Sequence, residues 1–247
     1  MWWFLAASVA LAAPDSCERI DIGDVLAVPP PAIVVLGARH GTQPDLRRAT
    51  KIVKTFAARA PTTVALEAVQ GDKQKVLDDF SQGHVAAEHL PIKLDWDREW
   101  GFPYRPYQTL VTGNGIGVHV IAAGQPLGNA PKDAEFPVPG GYMSILRDAM
   151  ADHEIPLPMQ SAFIRAMAWR DYQIAKQAVD GWNHMGYLVV LAGRTHIEGG
   201  KGVPWQASLL TKEPVSSFVL DWGVDPPCYP GDQVWKPGLF ERRSTSR

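Results

Sequence analysis

The sequence has no surplus of either charge. Its 24 lysines and arginines face 26 aspartates and glutamates, a formal net charge of -2. Binding to a phosphate backbone calls for a basic surplus, so nucleic acid is not an expected partner. No acidic tract marks a disordered segment. Long apolar runs are missing too. The N-terminal run from Trp2 to Ala12 is too short to stay in a bilayer as a helix, so no stable membrane span is expected. No lysine or arginine precedes it. Ala10-Leu11-Ala12 is nevertheless a small-x-small pattern followed by Pro14 and Asp15, which reads as a signal peptide cleaved after Ala12 or Ala13. The expectation is export, to a periplasmic or extracellular place; a first strand is the plainer alternative. Cysteine is scarce: there are two, Cys17 and Cys228. In an oxidising compartment a disulfide would clip the N-terminal arm to the C-terminal arm, and two unpaired thiols are the alternative. Pro14-Asp15-Ser16 ahead of Cys17 breaks the pattern of a lipid-anchoring site. No internal repeat is visible beyond a pair of short motifs.

What is present fits one α/β domain. The 247 residues are 46% hydrophobic, enough for a full core in a single unit. Nine tryptophans are many for this length. They suit a packed core, or the lining of a pocket for a flat, greasy ligand. Short apolar, β-branched runs recur: Ala32–Leu36, Thr63–Leu66, Val118–Ile121, Tyr187–Leu191 and Ser217–Leu220. Near-continuous apolar runs predict strands covered on both faces, the habit of a parallel sheet. Helical spacing lies between them at Pro44–Ala58 and Ser161–Trp182. The alternation predicts a mostly parallel central sheet flanked by helices, in a single domain. The expected layout is a signal peptide over 1–12, an arm over 13–30, the α/β domain over 31–225, and a Pro/Gly-rich tail over 226–247. Asp95–Tyr107, rich in aromatics and proline, predicts an ordered loop near the sheet edge, and Gly124–Tyr142 a surface loop.

Two turns share a spacing. Gly37-Ala38-Arg39-His40 follows one strand and Gly193-Arg194-Thr195-His196 follows another, and Glu67 ends a third. Ligands of open parallel sheets bind outside the carboxyl ends of the strands. Two imidazoles and a carboxylate gathered there could ligate a metal or form an acid/base set around a ligand. The plainer alternative is chance loop histidines and a helix-capping glutamate. Asp171 falls on the apolar stripe of its helix, where a carboxylate is costly unless paired; Arg170 or a site histidine could pair with it. Otherwise it lies at the edge of the stripe. His84, His89, His153 and His184 read as surface residues, and His119 as a satisfied core residue.

In this order and spacing the motifs resemble the ChaN-like haem-binding uptake family, related to the Tiki, TraB and erythromycin-esterase proteins. The resemblance runs from about Ile33 to Leu210. The family's opening Gly-Glu-x-His matches Gly37–His40, and its strand-end glutamate matches Glu67. Its aromatic segment matches Trp96 with Trp100–Tyr107, and its Arg-Asp helix matches Arg170-Asp171. Its closing motif matches Leu191–His196 followed by Gly200–Pro204. Departures are Ala38 for the first glutamate, Gly124 for an asparagine, and Ile174-Ala175 for Met-Ala. The resemblance implies binding of haem or another iron compound. Tyr104 and Tyr107 would offer ligand oxygens beside Trp96, Trp100 and Phe102, with Arg105 for a propionate. Aromatic side chains that only close the sheet edge are the alternative for this segment. Through the Tiki proteases the resemblance also implies a metal-dependent hydrolase. There His40, Glu67 and His196 would hold zinc, manganese or iron, and Arg170 and Asp171 would orient the histidines or stabilise charge. A non-catalytic module with a relic site is a third reading, supported by Ala38. A homodimer is compatible with the sequence, which fixes no oligomeric state.

Overall fold

The predicted apolar runs are all strands. The computed structural model describes residues 18–113, 116–126, 130–131, 136–152, 155–220 and 233–235. The expected export segment, Cys17, Cys228 and His153 lie outside these residues, as does most of the C-terminal tail. The five expected strands are β2 (Ala32–Ala38), β3 (Thr62–Gln70), β4 (His119–Gly124), β5 (Tyr187–Gly193) and β6 (Val215–Leu220). Two three-residue strands join them, β1 (Glu18–Ile20) and β7 (Gln233–Trp235). They come from the stretches expected as arm and tail, and they pair with each other, Glu18 opposite Gln233. Three residues are too few to show alternation, so no pattern marked them.

The sheet order is β1-β7-β6-β2-β5-β3-β4, and every pairing is parallel. The chain leaves β2 for β3 and β4 on one side. It then returns to insert β5 between β2 and β3, and finishes on the other side with β6 and β7. Such reversals open a crevice at the carboxyl ends of the central strands. β2, β3 and β5 are buried along their whole length, which is why their sequences are apolar at successive positions rather than at alternate ones.

One face carries α2 (Gln43–Ala57), α3 (Gln74–Ser81) and the short helices α4 (Leu90–Lys93), α5 (Trp96–Glu99) and α6 (Gln108–Thr112), with α1 (Ile22–Leu26) beside α2. Leu46, Ile52, Phe56, Leu77 and Trp96 pack there on Val34, Leu36, Val189 and Leu191. Phe56, fully buried, stacks on Tyr187 at 4.1 Å. Burying such a ring stabilises the fold by about 1.5–3 kcal/mol. The other face carries α8 (Leu157–Asp180) and α9 (Gly202–Leu210), whose Ile174, Ala175, Ala178 and Val203 meet Ile33, Val35, Leu188 and Val190. α7 (Tyr142–Asp152) packs on α8 through Tyr142, Leu146, Met167 and Ala168.

Three local expectations need correction. α8 starts at Leu157 rather than Ser161, because Pro158 sits in its first turn, where a missing N–H costs nothing. Within Asp95–Tyr107 a helical turn forms, entered through Asp95 in the left-handed region (φ 54), and the segment packs against β3, one strand in from the edge. His119 is exposed, not core, because it opens β4, the edge strand. Among the described residues no helix is long and apolar enough to cross a membrane.

Candidate functional site

Five of the residues marked in the sequence meet at the carboxyl ends of β2, β3 and β5. β2 and β5 run in register to Ala38 opposite Gly193, so the two Gly-x-x-His turns leave the sheet side by side. β3 continues past Glu67 to Gln70, but its regular pairing stops at Leu66 and a bulge follows. Glu67 therefore stands at the end of the regular ladder, 1% exposed. Its Oε1 accepts from Arg170 Nη2 at 2.8 Å and lies 3.2 Å from His196 Nε2. Its Oε2 accepts from the Gly193 amide at 2.5 Å and lies 3.4 Å from His40 Nε2. On the far side of the imidazole, His196 Nδ1 is 2.5 Å from Asp171 Oδ1, and the Tyr142 hydroxyl donates to Asp171 Oδ2 at 2.5 Å. The result is a buried chain, Tyr142–Asp171–His196–Glu67, ending at Arg170 and at the half-exposed His40.

Two glycines make room for it. A Cβ on Gly193 would sit 2.3 Å from His40 Nε2, so only glycine lets the ring lie over the end of β5. A Cβ on Gly202 would sit 2.2 Å from the His196 carbonyl oxygen and 2.8 Å from Asp171 Oδ2.

The charges explain the arrangement. Burial opposes a charge on His196, yet the carboxylates of Glu67 and Asp171 on its two nitrogens win and raise its pKa to about 9. The ring is an imidazolium at neutral pH. Burial also works against the Glu67 charge, but His196, His40 and Arg170 outweigh it and hold that pKa well below the usual carboxylate range. Asp171 goes the other way: burial raises its pKa, with His196, the Tyr142 phenol and Arg170 as partial compensation. The difference is one of neighbours, since Glu67 touches two cations directly and Asp171 touches one cation and a neutral phenol. Burial and the Asp171 charge push the Tyr142 pKa upward, so its hydroxyl stays a donor.

This network forms the floor of a cleft of about 700 Å³. Ala38, His40, Arg170, Gly193, Thr195 and His196 line it on the sheet side, with Arg39 and Arg194. Ala149, Ile155, Phe163 and Met167 form an apolar wall from α7, α8 and the link between them. Trp100 and Phe102 flank His40, with ring centroids at 4.6 and 5.5 Å.

Other marked residues lie elsewhere. Tyr107 is 3% exposed and its hydroxyl accepts from the Gly41 amide at 2.9 Å, so it braces the His40 turn from inside the core. Tyr104 packs edge-on against Trp96 at 5.0 Å, and burial pushes its pKa up to about 12. Its hydroxyl is buried without a protein partner. The two tyrosines thus point into the core, while Arg105 is exposed. Asp171 is on the apolar stripe and its partners are His196 and Tyr142. Nothing in the sequence marked Tyr142 or the apolar wall. Arg39 and Arg194 sat in plain view inside the two motifs.

His40 and His196 both come up to Glu67, at 3.4 and 3.2 Å from its two oxygens. Among the described residues no group of three or more histidine, cysteine, aspartate or glutamate side chains is arranged to hold a metal ion. Both Glu67 oxygens are engaged, and a cation arriving there would meet the Arg170 guanidinium and the His196 imidazolium.

The family model for haem-binding uptake proteins of the Tiki superfamily, ChaN, matches residues 28–126 and 126–207. Among solved structures the chain is similar to the ChaN of Campylobacter jejuni, described with cofacial haem bound. Identity is 16%, the TM-score is 0.65, and the match covers 82% of this chain and 86% of that one. The type III effector HopBA1 matches over the same shares at 12% identity, with a TM-score of 0.47 that carries no argument. No curated protein matches the sequence. The family match covers most of the α/β domain and spans β2, β3, β4 and β5 with every residue of the buried network, and on that evidence the chain belongs to the ChaN family of the Tiki superfamily.

Proposed function

We propose that this chain binds haem, or an iron compound of that class, in the cleft at the carboxyl ends of β2 and β5. The observation that carries the reading is the cleft's two-sided chemistry. An apolar wall of Ile155, Phe163 and Met167 faces a polar floor that includes an accessible imidazole, in a volume of about 700 Å³. Ligand pockets span roughly 300–1,000 Å³, and most of their lining is apolar. Membership of the family supports the same reading.

The residues present fit the group. His40, 34% exposed at its side chain, offers an imidazole, and histidine is an established ligand of haem iron. Glu67 beside its Nε2 is the kind of partner that fixes the orientation of a ligating imidazole. Trp100 and Phe102 confine the ring, and Phe163 and Met167 would exclude water from the flat face of a bound macrocycle. Bound haem would supply an iron centre that the His40 imidazole could ligate. The buried Tyr142–Asp171–His196 chain holds Glu67 in place, and His196 at its end is part of the cleft floor.

A metal-dependent hydrolase draws less support, because both Glu67 oxygens are already engaged. Export belongs to the proposal and rests on residues 2–13. N-terminal sequencing of protein made from the full sequence should read from Ala13 or Pro14, and an intact Met1 end would refute it.

The test of binding is titration with haemin, followed by visible absorption. A saturable new band at fixed stoichiometry is expected. Ala149→Trp, which fills the cleft, should abolish it, and Tyr104→Phe should leave it unchanged because that hydroxyl is in the core. No specific band, or a band lost with Tyr104→Phe and kept with Ala149→Trp, contradicts the reading.

A further inference from the structure

We infer that the cleft recognises two carboxylates on one edge of its ligand, with Arg39 and Arg194 as paired anchors. The inference rests on the haem-class reading and adds what would select the ligand. The two arginines follow Ala38 and Gly193, which are paired across β2 and β5. Adjacent strands lie about 4.8 Å apart, so the two side chains start as lateral neighbours at one level of the cleft rim. Both line the cleft.

Each guanidinium is held by a carboxylate, Arg39 by the buried Asp45 and Arg194 by Glu198, which itself lines the cleft. Asp45, fully buried in the first turn of α2, accepts from Arg39 Nε at 3.2 Å, from Nη2 at 3.3 Å and from the Arg39 amide at 3.1 Å. Asp45 is also 4.0 Å from Arg48. Arg194 pairs with Glu198 at 2.6 Å. Pinning removes rotamer freedom before the ligand arrives, and a planar five-donor fork suits carboxylates better than an ammonium does.

Across the cleft the wall is apolar. A ligand that satisfies both sides is flat and greasy with two acids on one edge, as in a tetrapyrrole dipropionate. Recognition through the acids does not need iron, so a metal-free porphyrin diacid should bind and its diester should not.

The experiment compares haemin, metal-free protoporphyrin and protoporphyrin dimethyl ester at one fixed low co-solvent level. Binding is read by absorption and by quenching of tryptophan fluorescence. The diacid should bind and the diester should bind about ten- to a hundredfold more weakly, the loss of one or two charge-assisted contacts. Arg194→Gln should weaken the diacid by about tenfold and leave the diester unchanged. Arg39→Lys keeps a charge beside Asp45 and loses the fork, and should act in the same direction. The ester comparison needs no variant, so a variant that fails to fold does not remove the test. Equal binding of diacid and diester, or variants that weaken both alike, overturns the anchors and leaves the haem reading standing. Failure of haemin and both porphyrins to bind overturns both.

Discussion

Raising the pH should loosen the fold in a way that depends on one histidine. His196 has a pKa of about 9 in the folded chain against 6.5 for the free side chain. The folded state therefore holds a proton that the unfolded state gives up. Its contribution is fully present below about pH 6.5 and is lost as pH rises through about 9. A tenfold difference in proton affinity between the two states is worth about 1.36 kcal/mol, so the loss is on the order of 3 kcal/mol. The side chain is 4% exposed, so solvent screening takes little of that. Urea unfolding from pH 6 to pH 9.5, on the wild type and on His196→Gln, measures it. The wild type should lose stability over this range with a slope approaching about -1.4 kcal/mol per pH unit, and the variant should start lower with a flatter profile. Parallel profiles would refute the assignment of a buried imidazolium between Glu67 and Asp171.

Tyr142→Phe removes the donor to Asp171 Oδ2 and should cost about 1.5–3 kcal/mol, the range for hydrogen bonds to charged groups, by the same urea assay. Gly193→Ala places a Cβ against His40 Nε2, the far end of a half-exposed side chain that can turn away, and should cost only about 0.5 kcal/mol of stability. It should also weaken haemin binding in titration, because the imidazole must move. Gln74 covers the outer edge of β4, donating to the Val120 carbonyl at 3.1 Å and accepting from the Ala122 amide at 2.7 Å. Gln74→Ala should cost about 1–2 kcal/mol and expose a pairing edge, so sedimentation should show more concentration-dependent association than the wild type shows.

The sheet was legible because its physics is local. A strand covered on both faces needs successive apolar residues, as in Ala32–Leu36 and Tyr187–Leu191, and few other structures write that pattern. The site was half legible. His40, Glu67 and His196 could be placed because strand ends are predictable, and Asp171 because a carboxylate on an apolar stripe calls for a partner. Tyr142 escaped, since a tyrosine after two glycines carries no sign of the hydroxyl's partner 29 residues away on α8. The cleft wall escaped for the same reason: Phe163 and Met167 look like any helix face until α7 is laid against α8. In the aromatic segment, composition does not tell which way a hydroxyl points. Tyr104 and Tyr107 have the composition of a ligand surface, and only packing turns their hydroxyls inward while leaving Trp100 and Phe102 beside His40.

The most direct test is the location of iron. Crystals grown with haemin and measured at the iron absorption edge should give an anomalous peak inside the cleft, between His40 and the wall formed by Phe163 and Met167. A peak at Tyr104, or anywhere outside that cleft, would contradict the account.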